Sequence, residues 1–304
     1  MCFSPVRRSF LLAVAGALVA LAAPTGAARA EFLVALGSTA TTGNALVTVD
    51  SNSFTTVGGV VAITGVTGSL LDIDYRPATG ALYGLGSNGT LYTINTVTGV
   101  ASFASTISAA LSGNQFAIDY NPTVDRLRLV SDTGQNLRIN VDTGAATVDG
   151  TLSTTGVVGA AYTNSFAGAT ATTLYDLTRT GNSFNLNIQN PPNNGTLVTV
   201  GGTGIFSPSS SVGFDISGAT GLAYVATNAA ASISSNGFNL ATIDLATGNL
   251  TGSSTVLGAG SGFQVRGLAA PLGAAVPEPA SVAMLAVGLA GAGFMARRRV
   301  ARTS

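Results

Sequence analysis

Carboxylates are the side chains through which this sequence could do chemistry. Residues 31–275 hold twelve of them against six arginines, a net charge of −6, and the whole chain has no histidine, lysine or tryptophan. Its one cysteine is Cys2. A Ser-His-Asp triad, a Cys-His pair and a zinc site of the usual ligands are therefore excluded. A phosphate-cradling loop is excluded too: Gly201-Gly202-Thr203-Gly204 is glycine-rich but has neither the lysine nor a following helix pattern. An acidic body without lysine is a poor nucleic-acid binder, so no nucleic-acid partner is expected.

Among the carboxylates, Asp74, Asp119 and Asp215 occupy matching places in three segments of like pattern. Brought together, they would make a hard oxygen donor set of the kind that holds calcium. A calcium-dependent hydrolase or lactonase is one reading of them; otherwise no cofactor is expected. The other reading has each Asp accepting hydrogen bonds from its own turn. Asp125, Arg126, Arg128, Asp132 and Arg138 form the densest charged cluster, either a face for an acidic glycan or a set of cross-strand ion pairs. Tyr75, Tyr83, Tyr92, Tyr120, Tyr162, Tyr175 and Tyr224 recur within apolar runs, spacings that fit a core better than a sugar platform.

These residues sit in a repeat. In Leu71 to Gly99, Leu71, Ile73 and Tyr75 alternate with Asp72 and Asp74, the period of a strand with two different faces. Pro77 and Gly80 end that run, Ala81–Leu85 forms a second, Asn88-Gly89 signals a hairpin, and Leu91–Ile94 forms a third, with a weaker fourth at Ala101–Thr106. The plan recurs from Phe116, from Val158 and from Val212. Leu82, Leu127, Leu174 and Leu222 hold equivalent places, a spacing of 45 to 48 residues. Repeats of this length with up to four strands each are propeller blades or another closed array. The ends supply a fifth unit: Phe32–Leu36, Leu46–Asp50 and Val57–Ile63 lack a first run, and Phe263–Leu268 is a first run without followers. The expected fold is all-β, one five-bladed β-propeller over residues 31–270, closed by strands from both chain ends. Asn88-Gly89-Thr90 and Asn194-Gly195-Thr196 match the glycosylation tripeptide but read as turns.

The flanks read as targeting segments. Arg7 and Arg8 precede the apolar run Phe10–Ala23, and Ala28-Arg29-Ala30 is a small-x-small cleavage site. Residues 1–30 are thus expected to be a signal peptide, helical in its apolar run. Signal peptidase would cut between Ala30 and Glu31, after general or twin-arginine export. The mature chain would hold no cysteine and hence no disulfide. Residues 271–279 are a linker ending in Val276-Pro277-Glu278-Pro279. Residues 280–304 combine an apolar span with a basic tail in which Arg297, Arg298 and Arg299 stop transfer on the cytoplasmic side.

This order of Pro-Glu-Pro, Gly/Ala/Leu span and arginine cluster resembles the PEP-CTERM sorting signal of Gram-negative bacteria. The resemblance implies recognition by an exosortase, transient anchoring in the inner membrane by a transmembrane helix, removal of the span, and delivery to the cell surface or extracellular matrix. The body also resembles a known family. The features are Asp74-Tyr75-Arg76-Pro77-Ala78-Thr79-Gly80, Asp119-Tyr120-Asn121-Pro122 with Asp125-Arg126, Ser131-Asp132-Thr133-Gly134-Gln135-Asn136-Leu137-Arg138 and Gln189-Asn190-Pro191-Pro192-Asn193. They are similar to the bacterial domain of unknown function 4394, which carries no assigned activity. The expectation is therefore an exported, non-enzymatic propeller that binds exopolysaccharide or a surface protein, or serves a structural role.

Overall fold

The computed structural model describes residues 30–228, 237–257 and 262–274. In chain order these form β1 (Phe32–Ser38), β2 (Ala45–Asp50) and β3 (Thr55–Ala62), then β4 (Leu70–Tyr75), β5 (Leu82–Gly86), β6 (Thr90–Ile94) and β7 (Ala101–Thr106). β8 (Phe116–Asn121), β9 (Arg126–Ser131), β10 (Asn136–Ile139) and β11 (Ala146–Val148) follow. Next come β12 (Val157–Tyr162), β13 (Leu174–Thr180), β14 (Ser183–Gln189) and β15 (Leu197–Phe206). β16 (Val212–Ile216), β17 (Ala223–Asn228), β18 (Gly237–Ile243), β19 (Leu250–Leu257) and β20 (Gln264–Ala269) complete the set. The first strand of each antiparallel group is innermost: β4, β8, β12 and β16 lead blades 2 to 5. Blade 1 is built from both ends, in the order β20-β1-β2-β3, with Val34 opposite Ala269 and Ala35 opposite Leu268. The inner strands touch one another in a closed cycle, β4 to β8, β12, β16, β20 and back to β4. This is the five-bladed propeller with shared closure that the repeat predicts.

The apolar residues form five clusters, one at each junction between neighbouring blades. Middle strands are therefore buried on both faces, as in β5 and β17, where every residue is buried. This arrangement corrects two readings of the sequence. The alternation of Asp72 and Asp74 with apolar residues does not separate a wet face from a dry one, because both carboxylates are buried. The equivalent of Leu82 in blade 5 is Ala223, opposite Ile216 as Leu82 is opposite Tyr75; Leu222 lies in the preceding turn and is exposed. The hairpin at Asn88-Gly89 forms as expected, through Ser87, Asn88 and Gly89. Gly89 N–H donates to Gly86 O at 2.9 Å, and only Gly89 takes positive φ, at 77°, so the connection is a three-residue loop with glycine in the left-handed position.

The junction of blades 5 and 1 is fastened at the expected mature N-terminus. Glu31 is buried, and its carboxylate accepts from Ser217 Oγ at 2.6 Å, Tyr224 Oη at 2.9 Å and Thr220 Oγ1 at 3.1 Å. Its backbone nitrogen donates to Ser51 Oγ at 3.1 Å. From the other side, Asn228 accepts from Val265 N at 2.7 Å and donates to Val265 O at 3.0 Å. Among the described residues no helix is long and apolar enough to cross a membrane. The signal helix, the C-terminal transmembrane helix, Val276-Pro277-Glu278-Pro279 and Arg297-Arg298-Arg299 lie outside the described residues.

Removing Phe263 to Ala270 takes out β20, with the fully buried Phe263 and Val265, and leaves β1 as an open edge. Thermal melts and size-exclusion chromatography of Glu31–Gly262 beside Glu31–Ala275 should show aggregation or a loss of well over 10 °C. Melting within a few degrees would contradict closure.

Candidate functional site

The strongest concentration of functional groups is at the hub. Asp74, Asp119 and Asp215 sit on inner strands β4, β8 and β16, and each offers a carboxylate oxygen within 4.8 Å of the others. The sequence places them equivalently and the ring brings them together. Each reaches forward to the next blade's inner strand: Asp74 accepts from Tyr120 N at 2.7 Å, Asp119 from Tyr162 N at 3.0 Å and Asp215 from Ala270 N at 2.6 Å. Asp74 and Asp215 also accept from the residue after them, Tyr75 N at 2.7 Å and Ile216 N at 2.6 Å. Local bonds are thus limited to Asp74 and Asp215 and come from the next strand residue rather than from a turn, and the bond common to all three aspartates runs between blades. By this register the two remaining places in the layer are Ala161 and Ala269.

Asp72 forms a second layer, accepting from Ile118 N at 2.9 Å and Ile73 N at 2.9 Å. Gly267 faces it: a Cβ there would lie 2.4 Å from Asp72 Oδ1, so only glycine lets β20 approach β4 this closely. Burial raises the pKa of Asp72, Asp74 and Asp119 well above the usual carboxylate value, and neighbouring carboxylate charge raises each further. Burial raises Asp215 to about 7, against the opposing effect of the N–H groups of Ala270 and Ile216 and a side-chain bond to Asp119. Like charges this close cannot all ionise in a dry interior, so the hub resists full ionisation. Three aspartates fall short of the six to eight oxygens calcium takes, and both oxygens of Asp74 and Asp215 are already engaged by backbone donors. The calcium-dependent hydrolase reading gains no support from this geometry.

The charged cluster of blade 3 resolves into two nodes. Arg76 of the blade 2 turn bonds Asp125 at 2.5 and 2.8 Å and Asp142 at 2.7 and 3.0 Å, both on blade 3. Arg128 is 1% exposed and binds Asp149 at 2.6 Å, Asn136 at 2.8 Å, Asn193 of blade 4 at 2.8 Å and Tyr162 at 3.3 Å; Arg138 shares Asp149 at 2.7 Å. Asp125, Arg128 and Arg138 are thus taken up in ion pairs inside and between blades. An acidic-glycan face is not formed, because Arg128 is inside, while Arg126 turns outward onto Asp125 O at 2.8 Å and Asp132 accepts from Asn114 N at 2.9 Å. Asp176 is a further buried acid that sequence reasoning did not single out. Among the described residues neither of its oxygens has a partner, and burial raises it to about 8 despite the nearby Arg128. Tyr83, Tyr92, Tyr120, Tyr162 and Tyr224 are buried, so they are core rather than platform.

The three hub aspartates and the ion-pair nodes lie within one family match. The domain of unknown function DUF4394 matches residues 45–269. The chain belongs to the DUF4394 family. The PEP-CTERM protein-sorting motif matches residues 275–299. No curated protein matches this DUF4394 chain. Solved structures similar to it include the WD40 domain of Toxoplasma gondii coronin, at 14% identity, covering 75% of this chain and 57% of that one, TM-score 0.38. A structural genomics protein of unknown function from Bacteroides thetaiotaomicron is similar at 15% identity, 76% and 58% coverage and TM-score 0.43. The computationally designed Ika8 protein is similar at 11% identity, 73% and 74% coverage and TM-score 0.32. The DUF4394 chain spans less than two thirds of the length of the first two.

Asp215 should make stability depend on pH. Its native pKa of about 7 lies above the unfolded value near 3.9, so the native state keeps a proton that the unfolded chain has lost between those values. This contribution is complete below about pH 4 and falls as pH rises to about 7, on the order of 1.4 kcal/mol per pH unit per proton. Asp215→Asn removes this titrating group, and because its amide nitrogen cannot accept, it also gives up one of the two backbone N–H bonds. Urea melts from pH 4.5 to 8 should show the variant gaining on the wild type as pH rises, whereas parallel curves would contradict the raised pKa of Asp215.

Proposed function

We propose that this chain is an exported propeller released at the cell surface or in the extracellular matrix, where it works by binding or as a structural module rather than by catalysis. The observation that carries the reading is the PEP-CTERM motif at residues 275–299 behind a closed propeller. The motif marks the chain for exosortase processing and export to the cell envelope. The finer steps are our inference: removal of residues 1–30 by signal peptidase, a pause in the inner membrane on the span within 280–304, and cleavage at Pro277-Glu278-Pro279. The prolines forbid helix there and hold the backbone extended for a protease. Arg297, Arg298 and Arg299 keep the tail inside.

The non-enzymatic reading is supported by composition and by the hub. The mature chain has no histidine, lysine or cysteine. Its convergent carboxylates are buried and bonded to backbone, so they lack access to a substrate. What they do is hold blades together, leaving the outer surface for partners. A surface protein or an exopolysaccharide suits such a module, and no nucleic-acid partner is expected of a body with net charge −6.

Glu278→Ala should leave the chain in the inner-membrane fraction, intact through Ser304, in a host that carries an exosortase. The wild type should be recovered outside, ending near residue 278 by mass spectrometry. An intact tail on surface-exposed wild-type protein would overturn the sorting reading.

A further inference from the structure

The outer strands of blades 4 and 5 enclose a groove of about 350 Å³, at the small end of the range for ligand sites. One wall is the end of β15, where Phe206 is 68% exposed. The other is the face of β18 and β19 that carries Asn239 and Ala241 opposite Thr255 and Ser253. Thr255 Oγ1 donates to Asn239 Oδ1 at 3.1 Å, which orients the Asn239 amide and leaves its N–H donors to the groove. Leu250 adds an apolar rim and Ser254 a further hydroxyl.

Among the described residues no charged side chain lines this groove, although residues 31–275 carry eighteen of them. An anionic ligand would find no cation here, and a basic one no carboxylate. An exposed aromatic ring facing a row of hydroxyl and amide groups fits a molecule with both an apolar face and several hydroxyls. We propose that this groove binds an uncharged glycan, a sugar face stacking on Phe206 and ring hydroxyls bonding Asn239, Ser253 and Thr255. This deepens the proposed function by assigning the binding surface and its ligand class, and it rests on the reading of the chain as a binding module.

The test uses residues 31–275 and hexasaccharides of neutral glucans (cello-, laminari- and isomalto-series), with oligogalacturonate as the charged comparison. Binding is read by NMR shifts of the Asn239 side-chain amide and by calorimetry. At least one neutral series should bind and move Asn239, while oligogalacturonate does not. Phe206→Ser should weaken binding at least tenfold with the melting temperature unchanged. Phe103→Ser is the matched control, since Phe103 is also 68% exposed but does not line the groove, and it should leave binding intact. No shift at Asn239 with any neutral series, equal binding of oligogalacturonate, indifference to Phe206→Ser, or capture of an extended peptide along β15 in place of glycan would each overturn the proposal. Such a failure is separable from failure of the export reading, which is decided by the location and C-terminus of the wild-type protein.

Discussion

The structure depends on backbone N–H groups of one blade donating to a carboxyl group of the blade before it. A propeller's inner strands meet at an axis where no ladder partner exists on the axial side, so donors there need another acceptor. Asp74, Asp119 and Asp215 meet that need for Tyr120, Tyr162 and Ala270. The constraint reaches outward. Because a short acidic side chain must span from one inner strand to the next, the strands must come close. Close approach is what makes Gly267 necessary beside Asp72 and what keeps the three acids from all ionising.

Around that hub the junctions are fastened unequally. Arg76 clamps blades 2 and 3, and Arg128 ties blade 3 to Asn193 of blade 4. Glu31 and Asn228 tie blade 5 to blade 1. Removing one partner from such a buried node costs more than the pair contributes, since the other charge is left unpaired. The 5–1 junction closes the ring and is made from residues at opposite ends of the domain, so its bonds have no help from a short connection. Residues 31–275 hold no cysteine, so these polar clasps and the five apolar clusters hold the ring without a disulfide.

Much of this was legible in the sequence. The repeat near 45 residues, the turn residues between runs and the orphan runs at each end fix the blade number and the shared blade. The matching places of Asp74, Asp119 and Asp215 were legible too, because they follow from the repeat. Which faces are wet was not, since period-two alternation is identical whether the second face meets water or the next blade. Asp72 shows this. The one-residue slip at Leu222 arose because a turn leucine outweighs an alanine in any apolar pattern, although Ala223 is the packed residue. The outer strands β15 and β19 were missed because they are rich in Gly, Ser and Thr and bury little, and β11 because it is only three residues long. The groove beside Phe206 was missed with them. The partners of Arg128 were also hidden, because Asp149 and Asn193 lie in connections whose positions only the closed ring sets.

The central claim is that inter-blade carboxyl bonds at the axis hold the ring as one cooperative unit. Native-state hydrogen exchange on residues 31–275 tests it most directly, through the amides of Tyr120, Tyr162 and Ala270. These amides lie at the axis and donate to side chains of another blade. If the hub holds the ring, they exchange only with global unfolding, at the same free energy as the ladder amides of β5 and β17. Exchange by local opening, well below the global free energy while those ladders stay protected, would contradict the account.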